Sequence, residues 1–267
     1  MPNQFTRPWL NEELRFIQES IGKLTYKEMG RTINRSPSSI QSKIRYLPFQ
    51  QRIRKHPINS NFFGKWSAEM AYVLGFFAAD GNICRTGRAH MLHVACDDKD
   101  VIEKIKQVMN YQGPIREKVR LNGKVSYSLR ISDPVLFNDL NILGVTERKS
   151  LTLMPPKIPK VFVWHFIRGY FDGDGSVVLR NTNYPSKLVV YFYTASHSMA
   201  SFLHGFFINV LGELYKAKIG IKIAHQKTPF YVVCMGHKAS VELFKYMYKD
   251  TNLFLERKYR KFLEGMN

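Results

Sequence analysis

The chain has 267 residues, of which 45% are apolar. That share is enough to form a buried core, so intrinsic disorder is excluded as the default state. Forty lysines and arginines against 21 acidic residues give a formal net charge of +19. A field of that sign attracts a polyanion strongly, and it favours nucleic acid over an acidic small molecule as the partner.

Cysteine spacing and hydropathy indicate the cellular compartment in which we expect the protein. Cys84, Cys96 and Cys234 lie too far apart in sequence for a CxxC zinc site or a dense disulfide framework, so we expect reduced thiols. The amino terminus lacks the apolar stretch of a signal peptide, and no run approaches the roughly 18 apolar residues of a membrane helix. We therefore expect a cytoplasmic protein with no membrane partner.

The first 50 residues predict a small domain of three short helices, because their apolar residues recur at helical spacing. Thr25 and Glu28 form a capping box at the start of the second helix. Ser36 at the N-cap and Pro37 at the first helical position open the third helix. The tight turn between the second and third helices is typical of a helix-turn-helix.

Trp9 and the adjacent Glu12 and Glu13 lie ahead of the first helix, and with them the segment loosely resembles Myb-like and related small helix-turn-helix domains. The third helix would then contact the major groove of DNA. Its candidate contacts are Arg35, Ser38, Ser39, Gln41, Ser42, Lys43 and Arg45. The alternative is a three-helix packing module with a solvated polar face. Residues 51–61 are basic and polar and predict a linker.

From residue 62 onward the chain contains a repeat. The segment from Ala71 to Gly81, AYVLGFFAADG, and the segment from His165 to Gly175, HFIRGYFDGDG, share a glycine, two aromatic residues, a small residue and a closing Asp-Gly. Each is followed by two alternating stretches, a helix, two more alternating stretches and an amphipathic segment. We predict two repeats, 62–153 and 161–267, joined by the proline-rich segment 154–160.

Small residues four apart predict a close pairing of the two repeated helices. Gly75 with Ala79, and Gly169 with Gly173, allow two helix backbones to approach closely. The two helices could instead be ordinary core helices, but that interpretation leaves the acidic residues at their ends unexplained.

Asp80 and Asp174 follow at the carboxyl ends, where the helix dipole disfavours an anion. Two carboxylates brought together there require a cation, and hard oxygen ligands favour Mg²⁺. The last-turn carbonyl groups of Ala79 and Gly173 are candidate ligands beside them.

Both copies resemble the LAGLIDADG motif of homing endonucleases, and their spacing is similar to that of single-chain members with two motifs. The resemblance covers about residues 62–267. It implies an α+β fold in which two pseudo-symmetric αββαββα repeats form a saddle of antiparallel sheets, next to the all-α amino-terminal domain. The family's metal-binding acid at the eighth motif position falls on Asp80 and Asp174. Asp172 lies at the sixth position, where the first copy has Ala78, and we do not assign it as a metal ligand.

Family members also commonly have a lysine near each active site. The best matches are Lys149 and Lys258, each late in its repeat and each preceded by an arginine. The resemblance implies a catalytic role in which the lysine polarises water or the developing charge on phosphorus. The alternative is a solvated or phosphate-positioning pair.

The alternating stretches predict a DNA-binding sheet surface. Asn122-Gly123 indicates a hairpin, and one side of its two strands is basic and hydrogen-bonding. The candidate contacts in the first repeat are Arg116, Lys118, Arg120, Lys124, Ser126, Ser128 and Arg130. Those in the second repeat are Lys187, Tyr191, Tyr193, Lys218, Lys222 and Lys227. The alternative is a solvated sheet face without a partner.

These residues and the resemblance together imply a monomeric, site-specific endonuclease of double-stranded DNA with a long target site. Mg²⁺, with Mn²⁺ able to substitute, would activate water and stabilise the departing 3′ oxygen. The resemblance further implies double-strand breaks with 3′ overhangs. The alternatives are a non-catalytic DNA-binding regulator with the same fold and an intron maturase that binds RNA.

Overall fold

The computed structural model describes residues 7–21, 23–46, 56–87, 89–180, 187–223 and 229–266. Its backbone divides into two compact units. The first comprises residues 1–58 with 111–113, and the second comprises residues 59–110 with 114–267. The division falls inside the segment predicted as a linker, and apart from residues 111–113 both repeats lie in the second unit.

The first unit consists of three short helices. They are α1 (Asn11–Ser20), α2 (Tyr26–Ile33) and α3 (Pro37–Tyr46). The capping box is present, since the backbone N–H of Thr25 donates to Oε2 of Glu28 (2.7 Å) and the N–H of Glu28 donates to Oγ1 of Thr25 (3.3 Å). Asn34 ends α2 in the left-handed region (φ 52°), and the side chain of Ser36 accepts from the N–H of Ser39 at the start of α3.

The predicted DNA contact Arg35 lies in a buried ion pair in the structure. Only 5% of its side chain is exposed, because its guanidinium pairs with Glu13 (Nη2 to Oε2, 2.8 Å) and stacks on Trp9 at 4.1 Å. Ile17 and Met29 lie in the small core of the same unit. Arg35 therefore joins the turn before α3 to the start of α1, and no local pattern in the sequence indicates this ion pair.

The buried ion pair predicts acid sensitivity of the first unit. The Arg35 hydrogen bond lowers the pKa of Glu13 from 4.5 to about 2. The stabilisation is complete above pH 4.5 and is lost as the pH falls towards 2. We expect Arg35→Met to destabilise this unit by about 2 kcal/mol at pH 7, because the buried carboxylate of Glu13 loses its buried partner. It keeps only the half-exposed Arg7 and the backbone N–H of Leu10. Amide hydrogen exchange over residues 11–46 of the full chain measures the change.

Arg15→Met is the matched control, because Arg15 pairs with Glu19 in an ion pair whose side chains are 82% and 63% exposed. Pairs of that kind contribute less than about 1 kcal/mol. Equal loss of protection in the two variants would contradict the structural role of Arg35.

The second unit contains two copies of a helix–hairpin–helix–hairpin pattern. The first copy has α4 (Ala68–Ala79), β1 (Asn82–Thr86), β2 (Ala89–Cys96), α5 (Lys99–Val108), β3 (Arg116–Val119), β4 (Val125–Ser132) and α6 (Pro134–Ile142). The second has α7 (Val163–Asp174), β5 (Gly175–Arg180), β6 (Lys187–Thr194), α8 (His197–Leu211), β7 (Gly220–Ile223), β8 (Pro229–Met235), α9 (His237–Met247) and α10 (Glu256–Met266). The predicted α+β fold is confirmed, and the final amphipathic segment of the second repeat forms two helices.

Each copy forms a four-stranded antiparallel sheet. The strand order is β1-β2-β4-β3 in one sheet and β5-β6-β8-β7 in the other. One face of each sheet is apolar and buried under helices, as Leu92 and Leu129 show in the first sheet and Phe192 and Val233 in the second. We call the opposite face of each sheet its outer face, and it carries the alternating residues.

Helices α4 and α7 pack against each other backbone to backbone. A Cβ atom on Gly169 would overlap the carbonyl oxygen of Tyr72, and one on Gly75 would overlap the carbonyl oxygen of Phe166. Any side chain at either position would separate the helices. The close contact therefore brings the carboxyl ends of both helices to one place.

Candidate active site and DNA interface

Two carboxylates lie where the paired helices end. Asp80 is the C-cap residue of α4, and Asp174 is the last residue of α7. A Cβ atom on Gly173 would overlap the Cβ of Ala79 and would lie 3.4 Å from Oδ2 of Asp80. The helix ends thus touch, and the two motif acids share one small region of the second unit.

The electrostatics of this region are unfavourable to two anions. Burial raises the pKa of Asp80, and burial together with the charge of Asp80 raises the pKa of Asp174 to about 6. Within the part of the chain that the structure describes, neither carboxylate accepts a hydrogen bond or joins an ion pair. A divalent cation would relieve this repulsion, and the carboxylate oxygens fit a hard ion.

The described residues contain no group of three or more histidine, cysteine or acidic side chains that could hold a metal ion. Mg²⁺ tolerates such a sparse site, because it usually retains several waters and binds substrate phosphates through one or two carboxylates. The donor set therefore fits Mg²⁺ better than zinc, which prefers nitrogen and sulfur ligands.

The two predicted lysines occupy matching places at the helix ends. Nζ of Lys149 donates to the carbonyl oxygens of Ala79 (3.1 Å) and Gly81 (2.6 Å). Nζ of Lys258 donates to the carbonyl oxygens of Phe171 (2.6 Å) and Asp172 (2.8 Å). Each cation lies where the helix dipole is negative, which is favourable. Both lysines are 6% exposed, and burial lowers the pKa of each.

These contacts bear on the candidate carbonyl ligands. The carbonyl oxygen of Ala79 accepts from Lys149, and that of Gly173 accepts from Lys258 at 3.4 Å. An ammonium group at a carbonyl oxygen repels a divalent ion at the same oxygen. The structure therefore favours Asp80 and Asp174 over the two carbonyl groups as metal ligands.

Two open clefts flank the helix ends. One, of about 390 Å³, is lined by Asp80 and Lys258, and the other, of about 340 Å³, by Asp174 and Lys149. Each cleft thus combines the acid of one repeat with the lysine of the other. Two clefts with one motif acid each suit a reaction that occurs twice, once on each strand of a duplex.

Asp172 takes part in a buried network that the sequence did not reveal. Its side chain accepts from the hydroxyl of Tyr72 on α4 (2.7 Å) and from the backbone N–H of Leu255 ahead of α10 (2.8 Å). The residue is 2% exposed. Asp172 therefore ties α7 to α4 and to the segment that carries Lys258.

Arg120, predicted as a DNA contact on the basic face of the first sheet, has an acidic partner in the structure. Its guanidinium pairs with Asp97, and both side chains line the cleft of Asp80. Arg257 pairs with Asp98 at the same cleft. These acidic partners follow β2 directly in the sequence, but no local pattern indicates which arginines they contact.

The outer face of the first sheet presents most of the predicted contacts of that repeat. Arg116 lies opposite Ser128, and Lys118 lies opposite Ser126. Arg116, Lys118 and Arg130 are exposed, and so is Lys124 in the hairpin turn. The prediction of a basic, hydrogen-bonding face is consistent with this register.

In the second sheet, Lys187, Tyr191 and Tyr193 share the outer face of β6, and Lys187 is exposed. Lys222 is exposed on β7 and Lys218 is exposed two residues before it, whereas Lys227 lies outside the described residues.

The predicted contacts on α3 are divided between exposed and half-buried positions. Ser38, Gln41, Ser42 and Arg45 are exposed, while Ser39 and Lys43 are half-buried.

In the described ranges, no helix is long and apolar enough to cross a membrane.

Comparisons with known proteins agree with this geometry. Residues 162–209 match the family model of a LAGLIDADG-like domain. A probable translation initiation factor IF-2 from Methanocaldococcus jannaschii is 28% identical over 205 residues, which are 71% of this chain and 16% of that protein. An uncharacterized protein from the same organism is 28% identical over 128 residues, 46% of this chain and 47% of that protein. The chain spans less than half the length of either curated relative.

Among solved structures, the homing endonuclease I-WcaI bound to its DNA recognition sequence is similar with a TM-score of 0.50 and 16% identity. The match covers 76% of this chain and 90% of that one. Residues 162–209 thus match a LAGLIDADG-like domain, and over about three quarters of its length the chain has the fold of this homing endonuclease.

Proposed function

We propose that the protein is a site-specific endonuclease that cleaves both strands of DNA with the help of Mg²⁺. The observation that carries this proposal is the pair of carboxylates, Asp80 and Asp174, at the touching ends of α4 and α7. A regulator that only binds DNA has no need for two carboxylates, one of which raises the pKa of the other. The similar solved structure is a homing endonuclease with DNA bound, which supports the same assignment.

Each group of the site has a distinct role in this mechanism. Mg²⁺, or Mn²⁺ in its place, would supply an activated water and stabilise the departing 3′ oxygen when held by Asp80 and Asp174. Lys149 and Lys258 hold the carbonyl groups of the helix ends and thereby keep each carboxylate in position. Each cleft admits one scissile phosphate, and cuts on the two strands that are offset across the centre leave 3′ overhangs.

A single chain suffices for double-strand cleavage in this proposal. Both acids and both lysines belong to one unit of one chain. The protein would therefore act as a monomer on a long site contacted by the two outer sheet faces. The predicted contacts on α3 would extend that site.

Cleavage of a plasmid library with randomised inserts tests the proposal. The purified chain is incubated with Mg²⁺, with Mn²⁺ or with EDTA, and the cut ends are sequenced. We expect linear products with 3′ overhangs at a recurring sequence with either metal and none with EDTA. Tight duplex binding without cleavage would favour the DNA-binding regulator, and preference for folded intron RNA over duplex DNA would favour the maturase.

DNA affinity is expected to fall steeply with salt, because lysines and arginines that neutralise phosphates release counterions. With six to ten phosphate contacts, the affinity should drop about 10³- to 10⁵-fold between 50 and 200 mM salt. Lys118→Ala on β3 should reduce the slope of log affinity against log salt by about one. Fluorescence anisotropy with a labelled duplex measures both slopes.

Lys245→Ala is the matched control, because Lys245 lies on α9 and pairs with Glu242 in an exposed contact. Its slope should equal that of the unaltered chain. A salt slope near zero for the unaltered chain would contradict binding through the basic faces.

A further inference from the structure

The outer faces of the two sheets can be compared position by position, because their registers match. Asn82 and Ser176 each lie two residues after a motif aspartate, and they pair with His93 and Tyr191 respectively. His93 in the first sheet thus corresponds to Tyr191 in the second. By the same register, Ala95 corresponds to Tyr193.

The next strand of each sheet extends the comparison. Arg130 pairs with His93, whereas Cys234 pairs with Tyr191. The exposed guanidinium of the first sheet is therefore replaced by a thiol in the second. Likewise Ser128 pairs with Ala95, whereas a valine, Val232, pairs with Tyr193.

The outermost strands continue the difference. Arg116 pairs with Ser128 in the first sheet, and Gly220 pairs with Val232 in the second. At the next position on the same face of the hairpin, the first sheet has Ser126 and the second sheet has Phe230. Lysine alone is kept at the equivalent place on both edges, as Lys118 and Lys222.

The second outer face is consequently an aromatic and aliphatic surface. The ring of Tyr193 lies 6.0 Å from that of Tyr191 and 6.1 Å from that of Phe230. Val189 and Val232 lie on the same face and are only 7% and 5% exposed. Lys187 and Lys222 lie on the end of β6 and on the edge strand of this face. Arg180 reaches from β5 onto the face, where its guanidinium donates to the hydroxyl of Tyr191 and lies 6.0 Å from the ring.

We propose that the two outer faces bind chemically different halves of one duplex target. The first face, with Arg116, Arg130 and two serines, would contact a half-site that contains guanine. The second face, with Tyr191, Tyr193 and Phe230, would contact a half-site rich in thymine through the 5-methyl groups. The inference rests on the proposed function and adds the base composition of each half.

The physical basis is the different chemistry of bases in the major groove. Guanine presents two acceptors that arginine binds with two hydrogen bonds, whereas thymine presents a methyl group that contacts apolar side chains. Cys234 and Gly220 cannot form the arginine contacts. Arg180 is held by Tyr191, and Lys187 and Lys222 lie at the edges of the face. These cations suit a polyanion that crosses an apolar strip, and the net charge of +19 agrees with that occupant.

Selection from a random duplex library tests the proposal. The full chain selects bound sites in metal-free buffer, and the sites are sequenced. We expect one half enriched in G·C pairs and the other in A·T pairs. Arg116→Ala should relax the preference in the G·C half alone, and Tyr191→Ser should relax it in the A·T half alone, which assigns each half to its sheet.

Replacing thymine by deoxyuracil in the selected site provides a second measurement, since it removes only the methyl group. We expect the affinity to fall about fourfold per replaced base in the A·T half. The matched control is the same replacement in the other half, where we expect less than a twofold change.

The outcomes separate this inference from the proposed function. Failure to bind any duplex would overturn both. Tight binding to a site whose halves have like composition, or equal effects of deoxyuracil in both halves, would overturn the inference alone. Tighter binding to single-stranded RNA or DNA than to any duplex would also overturn it, and would indicate that the aromatic face stacks on bases.

Discussion

Asp80→Asn and Asp174→Asn are each expected to lower the rate of DNA cleavage by about a thousandfold or more, while DNA binding is retained. A bound metal supplies several kcal/mol of transition-state stabilisation, and each 1.4 kcal/mol corresponds to about tenfold in rate. An asparagine keeps the shape of the side chain but removes the charge that holds the ion. Single-turnover cleavage of the selected site under Mg²⁺, with affinity measured in parallel, checks both parts.

Asp174→Asn is expected to lower the cleavage rate but to increase the free energy of unfolding. Measuring both quantities separates loss of chemistry from loss of fold. The pKa of Asp174 is raised from 3.8 to about 6 in the folded chain. The charged carboxylate therefore costs folding free energy above pH 6, and this cost disappears as the pH falls below 3.8. We expect the variant to be roughly 1–3 kcal/mol more stable at pH 7 without metal, and unchanged near pH 3.5.

Urea unfolding at the two pH values measures this difference. Asp250→Asn is the matched control, because Asp250 is exposed and its left-handed backbone (φ 49°) suits asparagine. The control should change stability little at either pH. An unstable Asp174→Asn variant would show that the carboxylate serves the fold, and retained cleavage in both aspartate variants would contradict the proposed centre.

Gly169→Ala is expected to destabilise the second unit by about 3 kcal/mol or more. Its methyl group would overlap the carbonyl oxygen of Tyr72 and lie 3.0 Å from the backbone nitrogen of Phe76. Backbone atoms cannot rotate away as a side chain does, so α4 and α7 must separate, and overpacking of this kind is costly. Urea unfolding followed by circular dichroism measures the loss.

Gly205→Ala provides the matched control within the same unit. Gly205 lies in α8, and a Cβ atom there would meet nothing within 4 Å. Because alanine favours a helix interior over glycine, we expect it to stabilise by about 0.5–1 kcal/mol. Similar effects of the two substitutions would show that the helix contact is not tight. At temperatures where Gly169→Ala remains folded, cleavage should still fall, since separated helix ends separate Asp80 from Asp174.

Much of the architecture could be predicted because it depends on local patterns. Thr25 and Glu28 are three residues apart, which is the spacing of a capping box, and the structure contains both of its hydrogen bonds. Gly75 and Gly169 indicated a close helix contact, which the overlaps at both positions demonstrate. The alternation around Asn122-Gly123 placed Arg116 and Lys118 on one face, as the strand register does.

The contacts of individual charged side chains could not be predicted. Arg35 resembled a solvent-exposed DNA contact, but it pairs with Glu13, 22 residues away. Arg120 appeared to belong to the basic face, but it pairs with Asp97 at the cleft. Lysine and arginine side chains are long enough to reach several partners, so spacing along one strand or helix does not select among them.

The sequence by itself determined the repeated helices, their closing aspartates and the strands between them, because each depends on residues within one helical turn or one hairpin. Only the tertiary structure decided that Lys149 and Lys258 donate to carbonyl groups of α4 and α7, across 70 and 87 positions of the chain. It alone paired His93 with Arg130 and Tyr191 with Cys234, which distinguishes the two outer faces. Such contacts arise from the packing of distant segments, and no short-range pattern encodes them.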